Sequence, residues 1–292
     1  MSKSFKKILE YTFYPFIIVA SLILSYKISI FLSIEYMPII PGIVSTLVMF
    51  LVLAAERFLP YKKEWNKNHG DLLSDFSRTF MVLPLATSVI QYVLMKSVDF
   101  AEMYFEFSHS TILSNQNIII QLLIITLATE FTFYWSHRLA HTNFFLWRLH
   151  SVHHSARRLY FLNSGTFNLF DIFINFLCYL FPLFFLRPSG EVFTLFFTLS
   201  ATTGILEHAN IKMKTNFLAP YFNIPDLHRI HHSIDDREGK SNFGKITCFW
   251  DFVFKTYYFP EEAVKEIGIK EPVEKTKGLI NQILLPFKIN KS

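Results

Sequence analysis

A chain of 292 residues that is 51% hydrophobic and 17% aromatic, with 34 Phe, is too apolar for an ordinary soluble domain and is predicted to be a polytopic membrane protein. Its formal net charge of +5 fits the basic cytosolic loops of such a protein better than a nucleic-acid-binding surface, so no nucleic-acid partner is expected. Cys178 and Cys248 lack CxxC or zinc-knuckle spacing, which argues against a disulfide framework and against a thiolate metal site.

In chain order, the basic start MSKSFKK precedes an apolar run from Thr12 to about Ile34. The run is long enough to span a bilayer and has no small-residue cleavage site, so it reads as a retained anchor and not a signal peptide. Further apolar windows lie at about 38–55, 79–97 (weaker), 117–136, 167–186 and 191–207. The last two are parted only by RPSGE and read either as two passes or as a tight hairpin dipping into the bilayer. Lys and Arg crowd the N-terminus, the 56–78 segment, the 138–158 segment and everything after residue 211, whereas loop 98–116 has Asp99, Glu102 and Glu106 and no cation. Six passes with both termini cytosolic satisfy the positive-inside rule at every loop. The expected fold is therefore an all-α, polytopic membrane helix bundle of about 4–6 spans or re-entrant helices, carrying a cytosolic histidine-rich metal-binding cap. Its expected divisions are membrane-anchor spans over 1–116, a histidine-box catalytic region over 117–260 and a cytosolic tail over 261–292.

The cap is read from three clusters. Residues 137–141 are HRLAH, 150–154 are HSVHH and 228–232 are HRIHH. Histidines at i and i+4, or at i, i+3 and i+4, share one helix face and can offer several nitrogens to a common centre. Neutral imidazole suits iron, zinc, copper or nickel. His137, His141, His150, His153, His154, His228, His231 and His232, joined by the lone span-end His208, make nine candidate ligands. A tetrahedral zinc needs four and a catalytic zinc three, so the number argues for two metals with open positions. Glu130 lies two helical turns before His137 in an apolar span, on a stripe with Tyr134 and His141. A carboxylate there is costly and is expected to accept a ring N–H from a ligating histidine. Asp226, Asn242 and Asp251, near the third cluster, are candidates for the same role.

These residues carry a resemblance. HRLAH, HSVHH and HRIHH, set in "EFTFYWSHRLAH", "WRLHSVHHSARRLYFLN" and "EHANI…PDLHRIHHSIDDREGKSNFGKITCFWDFVFKTY", resemble the three-box pattern of the fatty acid hydroxylase / sterol desaturase superfamily over about residues 127–258, in its bacterial branch. Two departures stand out: Thr166, Phe167, Asn168 and Leu169 replace an Arg-x-His-Pro stretch common in bacterial relatives, and Lys255 replaces the usual Gly before Thr-Tyr. The resemblance implies two Fe ions, with Zn able to replace them on purification, and O2 as co-substrate. It implies oxidation of a lipid drawn from the bilayer (a fatty acyl or ether lipid, a sterol or a carotenoid), by C–H hydroxylation first and by desaturation as the alternative. With no GxGxxG, P-loop or haem motif, a separate electron donor is expected: a ferredoxin, a cytochrome or a reductase. A bacterial inner membrane is favoured over the endoplasmic reticulum, with the active site on the cytosolic side. Two rival readings fit less well. A metal transporter would place its ligands near the bilayer midplane, and a structural zinc scaffold would close its sites with four ligands.

Overall fold

A computed structural model describes residues 2–87, 89, 92, 113, 115–272 and 276–289. Among these the chain is all-helical, with no β-strand and only isolated bridges such as Pro60–Ile211 and Phe222–Thr247. The long helices are α1 (Lys3–Ser29), α2 (Ile40–Phe58), α4 (Ile118–Thr142), α6 (Leu169–Leu186) and α7 (Gly190–His208). The shorter ones are α3 (Leu72–Ser77), α5 (Phe144–His154), α8 (Pro225–His231), α9 (Phe249–Val253) and α10 (Leu279–Lys288). Segments Lys3–Ser29, Tyr36–Phe58, Ile118–Thr142 and Leu169–Leu186 are each long and apolar enough to cross a bilayer, which makes this an integral membrane protein. The first anchor starts earlier than the apolar run suggests, because the Ser2 hydroxyl accepts from the Phe5 N–H and caps α1 at once. Part of the 79–97 window (88, 90, 91 and 93–97) and most of the acidic 98–116 loop lie outside the described residues.

The bundle is built around α7. Its 191–207 window is a full helix joined to α6 by a tight corner, in which Arg187 takes a left-handed φ of 42° and the Ser189 hydroxyl caps α7. α7 is buried along its length and carries Thr194, Thr198, Ser200, Thr202 and Thr203 inside the bundle. These small polar residues lower its hydropathy and let neighbours approach closely, as in other helix contacts inside membranes. α1 answers with a buried stripe of Ser21, Ser25 and Ser29, and Ser25 Oγ lies 2.8 Å from Thr198 Oγ1. The large apolar side chains of α1 and α2, among them Phe16, Ile23, Phe50 and Leu51, are exposed on the outside, where lipid solvates them. The outer surface is thus far more apolar than that of a water-soluble bundle, while apolar and small polar side chains share the interior.

Three features bring the histidine clusters to one end of this bundle. Asn143 ends α4 and caps α5, its side-chain oxygen accepting from Phe145 N and Leu146 N, so α5 folds back beside the last turn of α4. α7 ends at His208. Arg229 of α8 donates to Ala209 O and Ile211 O and pairs with Asp226 at 2.6 Å, which ties α8 to the chain leaving α7. Within the final segment, α10 packs against α5, with Arg148 donating to Pro286 O and Leu285 buried in a small apolar cluster with Val152.

Candidate metal centre

All nine predicted histidines are buried, and they assemble into two adjoining groups. His137, His141, His150, His154 and His231 form the first; His153, His208, His228 and His232 form the second. Within each group one ring nitrogen per residue lies within 4.8 Å of all the others. The rings of His154 and His232, one from each group, stack at 4.2 Å between centroids.

The outer ring nitrogens show which way the inner ones face. His137 Nδ1 lies 2.8 Å from Phe243 O, His231 Nδ1 2.8 Å from Ser241 O, and His153 Nδ1 3.2 Å from Thr166 O. His150 Nδ1 lies 2.9 Å from Asp171 Oδ2, and His208 Nδ1 2.9 Å from Asn163 Oδ1. The Asn163 amide is oriented by its own NH2, which donates to Arg158 O. Each of these five partners accepts, so each Nδ1 carries the proton and each Nε2 turns a lone pair inward. The inner nitrogens meet one another: His208 to His228 at 2.9 Å, His228 to His232 at 3.1 Å, His232 to His153 at 3.1 Å and His150 to His154 at 3.1 Å. The buried Nε2 atoms of His137, His141 and His231 have no hydrogen-bond partner among the described residues. Lone pairs gathered in a dry pocket repel unless a cation sits among them. Protonation is the poorer answer, because burial pushes His153, His154, His228 and His232 well below the usual imidazole range and His231 down to about 3. The residues present therefore fit two metal ions.

The supporting residues differ from those expected. Among the described residues Glu130 accepts no ring N–H. Its Oε2 accepts the backbone N–H groups of Lys245, Ile246 and Thr247 at 3.0, 2.9 and 3.2 Å. Asp251 accepts from Phe243 N and Gly244 N, both at 2.8 Å, and from the Thr256 hydroxyl. Asn242, at a left-handed φ of 55°, bridges Tyr258 through both its amide atoms. Asp226 pairs with Arg229. None of the four touches an imidazole nitrogen among the contacts described; a bare run of peptide N–H groups in the 243–247 loop competes for the carboxylates and wins them. Glu130 and Asp251 thus pin the loop whose carbonyl, Phe243 O, holds His137. Gly244 has to be glycine, since a Cβ there would lie 2.1 Å from Thr247 O.

The side-chain acceptors that do reach imidazoles, Asp171 and Asn163, were missed. Asn163 lies in the "LYFLN" stretch of the second box, and Asp171 opens an apolar helix three residues after the Asn168 cap, where an acidic residue reads as helix capping. Both departures from the superfamily pattern take on structural meaning. Phe167 stacks on His153 at 4.1 Å and 6°, covering the centre where bacterial relatives commonly carry a histidine nearby. Lys255 holds a left-handed φ of 59°, the conformation for which the usual Gly is suited.

The fatty acid hydroxylase family model matches residues 122–256, which hold all nine histidines. The chain is 31% identical over 242 residues to ornithine lipid hydroxylase OlsE of Rhizobium tropici, covering 81% of this chain and 72% of that protein. It is 26% identical over 147 residues to alkylglycerol monooxygenase of Homo sapiens, covering 50% of this chain and 32% of that one. It is 25% identical over 230 residues to methylsterol monooxygenase 1-3 of Arabidopsis thaliana, covering 72% and 76%. No solved structure matches the chain. With the histidine geometry, these matches place the chain in the fatty acid hydroxylase family of the fatty acid hydroxylase / sterol desaturase superfamily. Its named relatives are hydroxylases and monooxygenases, so it is an oxidoreductase of membrane lipids.

Proposed function

We propose that this protein is an O2-dependent lipid hydroxylase that holds two iron ions in its two histidine groups and inserts oxygen at a C–H bond of a bilayer lipid. The observation that carries the reading is the inward convergence of imidazole nitrogens whose outer nitrogens are fixed by carbonyl, carboxylate and amide acceptors. Five and four ligand candidates exceed what one ion takes and suit two ions with different open positions. When bound, iron supplies the activation of O2 that no side chain provides. The chain's own residues do the rest. Asp171, Asn163 and the carbonyls of Thr166, Ser241 and Phe243 hold five rings in one tautomer. Phe167 and Phe243 seal the imidazoles from water. The bundle beneath delivers apolar substrate.

Hydroxylation is preferred to desaturation because the relatives above are named hydroxylases and monooxygenases. The centre faces the cytosol in this reading, because the charge distribution puts both termini and the boxes there. Residues 1–116 serve as the anchor, 117–260 supply every metal ligand, and 261–292 brace α5. A ferredoxin, cytochrome or reductase brings the electrons. The test is expression with a matched electron donor under air, followed by lipid mass spectrometry. A gain of one oxygen in a lipid species that depends on the protein supports the reading. A loss of two hydrogens without oxygen gain selects desaturation, and an unchanged lipid pool contradicts both.

A further inference from the structure

Beside the histidine groups lies a second concave feature that the metal chemistry does not use. A cavity of about 460 Å3 opens between the 67–71 turn, α3, the residues that follow α5, and the start of α10. Its lining includes Lys67, Asp71, Asp75, Arg157, Lys277 and Gln282. Both acids are already engaged. Asp71 is held in a two-pronged pair by Arg158, at 2.7 and 3.0 Å, and Asp75 accepts from Tyr160 OH and Thr166 Oγ1. The two lysine ammoniums form no ion pair among the described residues; with Asp71 balanced by Arg158 and Arg157 paired with Glu266, they outnumber the one remaining carboxylate, Asp75, so the described lining is positive on balance. Gly70, at a φ of 82°, leaves room for Lys277 to lie across the turn, since a Cβ there would meet Lys277 Cε at 2.5 Å. The floor is close to the metal centre: Ser155 and Ala156 line it directly after His154, and Thr166, bound to Asp75, gives its carbonyl to His153.

The walls indicate the occupant. α10 is amphipathic, with Gln282 and Leu285 buried while Ile280, Ile283, Leu284 and Phe287 are exposed. α3 and the π-helical stretch Arg78–Val82 that continues it expose Leu73, Phe76, Phe80 and Met81. Arg78 Nε donates to Gln282 Oε1 at 3.0 Å and locks the two elements together. An apolar outer face on a helix packed against the protein is suited to a bilayer interface. A cationic cavity framed by two apolar outer faces is complementary to one molecule type: a lipid with an oxyanion at its polar end. A soluble acidic protein would meet a recess too small for its surface and would not need the apolar rim.

Building on the hydroxylase reading, we propose that this cavity is the headgroup subsite. It takes the phosphate or carboxylate of an anionic or zwitterionic lipid on Lys67 and Lys277, and α10 rests in the membrane interface as the rim over which the lipid enters.

The test is equilibrium binding by the full-length protein in neutral detergent, without turnover, so that it stands apart from any failure of the oxidase reading. The probes are a short-chain phosphatidic acid, the chain-matched diacylglycerol and inorganic phosphate. Phosphatidic acid is expected to bind best, and Lys67→Ala/Lys277→Ala to weaken it at least about tenfold, the scale of a lost charged hydrogen bond. Lys67→Arg/Lys277→Arg should retain binding, and diacylglycerol should be weak throughout. Equal affinity for inorganic phosphate would overturn the lipid assignment. So would unchanged phosphatidic acid binding in the alanine pair.

Discussion

Each His-x-x-His-His box is divided between the two nitrogen groups. In α5, His150 and His154 enter the first group and His153 the second; in α8 and its C-terminal cap, His228 and His232 enter the second and His231 the first. The motif occurs twice because each helix gives its i, i+4 pair to one group and the residue between them to the other, so the two boxes cross-brace the centre. His137 and His141 complete the first group and His208 the second. Asp171 is the one carboxylate on an imidazole nitrogen among the described contacts. Asp171→Asn should lower metal retention in the first group by about 10–100-fold with the fold intact. Glu130→Ala should act differently: it strands three backbone donors at about 1–3 kcal/mol each and should lower thermal stability as well. Paired metal analysis and thermal unfolding separate the two effects. The pH response has a definite sign. His231 has a folded pKa of about 3 against an ordinary value of 6.5, so the unfolded chain takes up protons first. Stability and metal affinity are complete above about 6.5 and should fall as pH drops from there toward about 3. Metal release followed across that window checks the sign; retention improving toward acid would contradict it.

At the scale of elements, the histidine periodicities were plain because helix geometry alone puts i and i+4 on one face. The orientation of Glu130 was not. Its stripe with His137 is real in sequence, but the bond it forms depends on loop 243–247, which arrives from more than a hundred residues away. α7 was ambiguous for a similar reason: its threonines read as weak hydropathy until the buried serines of α1 are seen facing them. α8 is only Pro225–His231, too short to be stable by itself, and relies on Arg229 for its placement. Arg229→Met should cost about 3 kcal/mol, by leaving Asp226 unpaired and two buried carbonyls unsatisfied, and should loosen the second histidine group. Unfolding midpoints and metal content of this variant are the check. Unchanged values in both would show that α8 is held by its apolar side chains alone.

Over the whole molecule, a bundle with apolar side chains outside, and apolar and small polar side chains packed together inside, carries a dry imidazole cap at one end. Burial of the apolar faces does not depend on the imidazole side chains, so loss of a ligand should leave the bundle standing while emptying the cap. The central claim is that the two groups are one dinuclear centre, and metal stoichiometry tests it most directly. Iron and zinc per chain should be measured by elemental mass spectrometry on the full-length protein and on His153→Ala, His231→Ala and the double variant, at equal folded amounts. The account predicts two metals per chain in the parent, a loss in each single variant that reaches beyond the group it touches, and a double variant hardly worse than either single one. One metal or none in the parent, or two losses that combine independently, would contradict it.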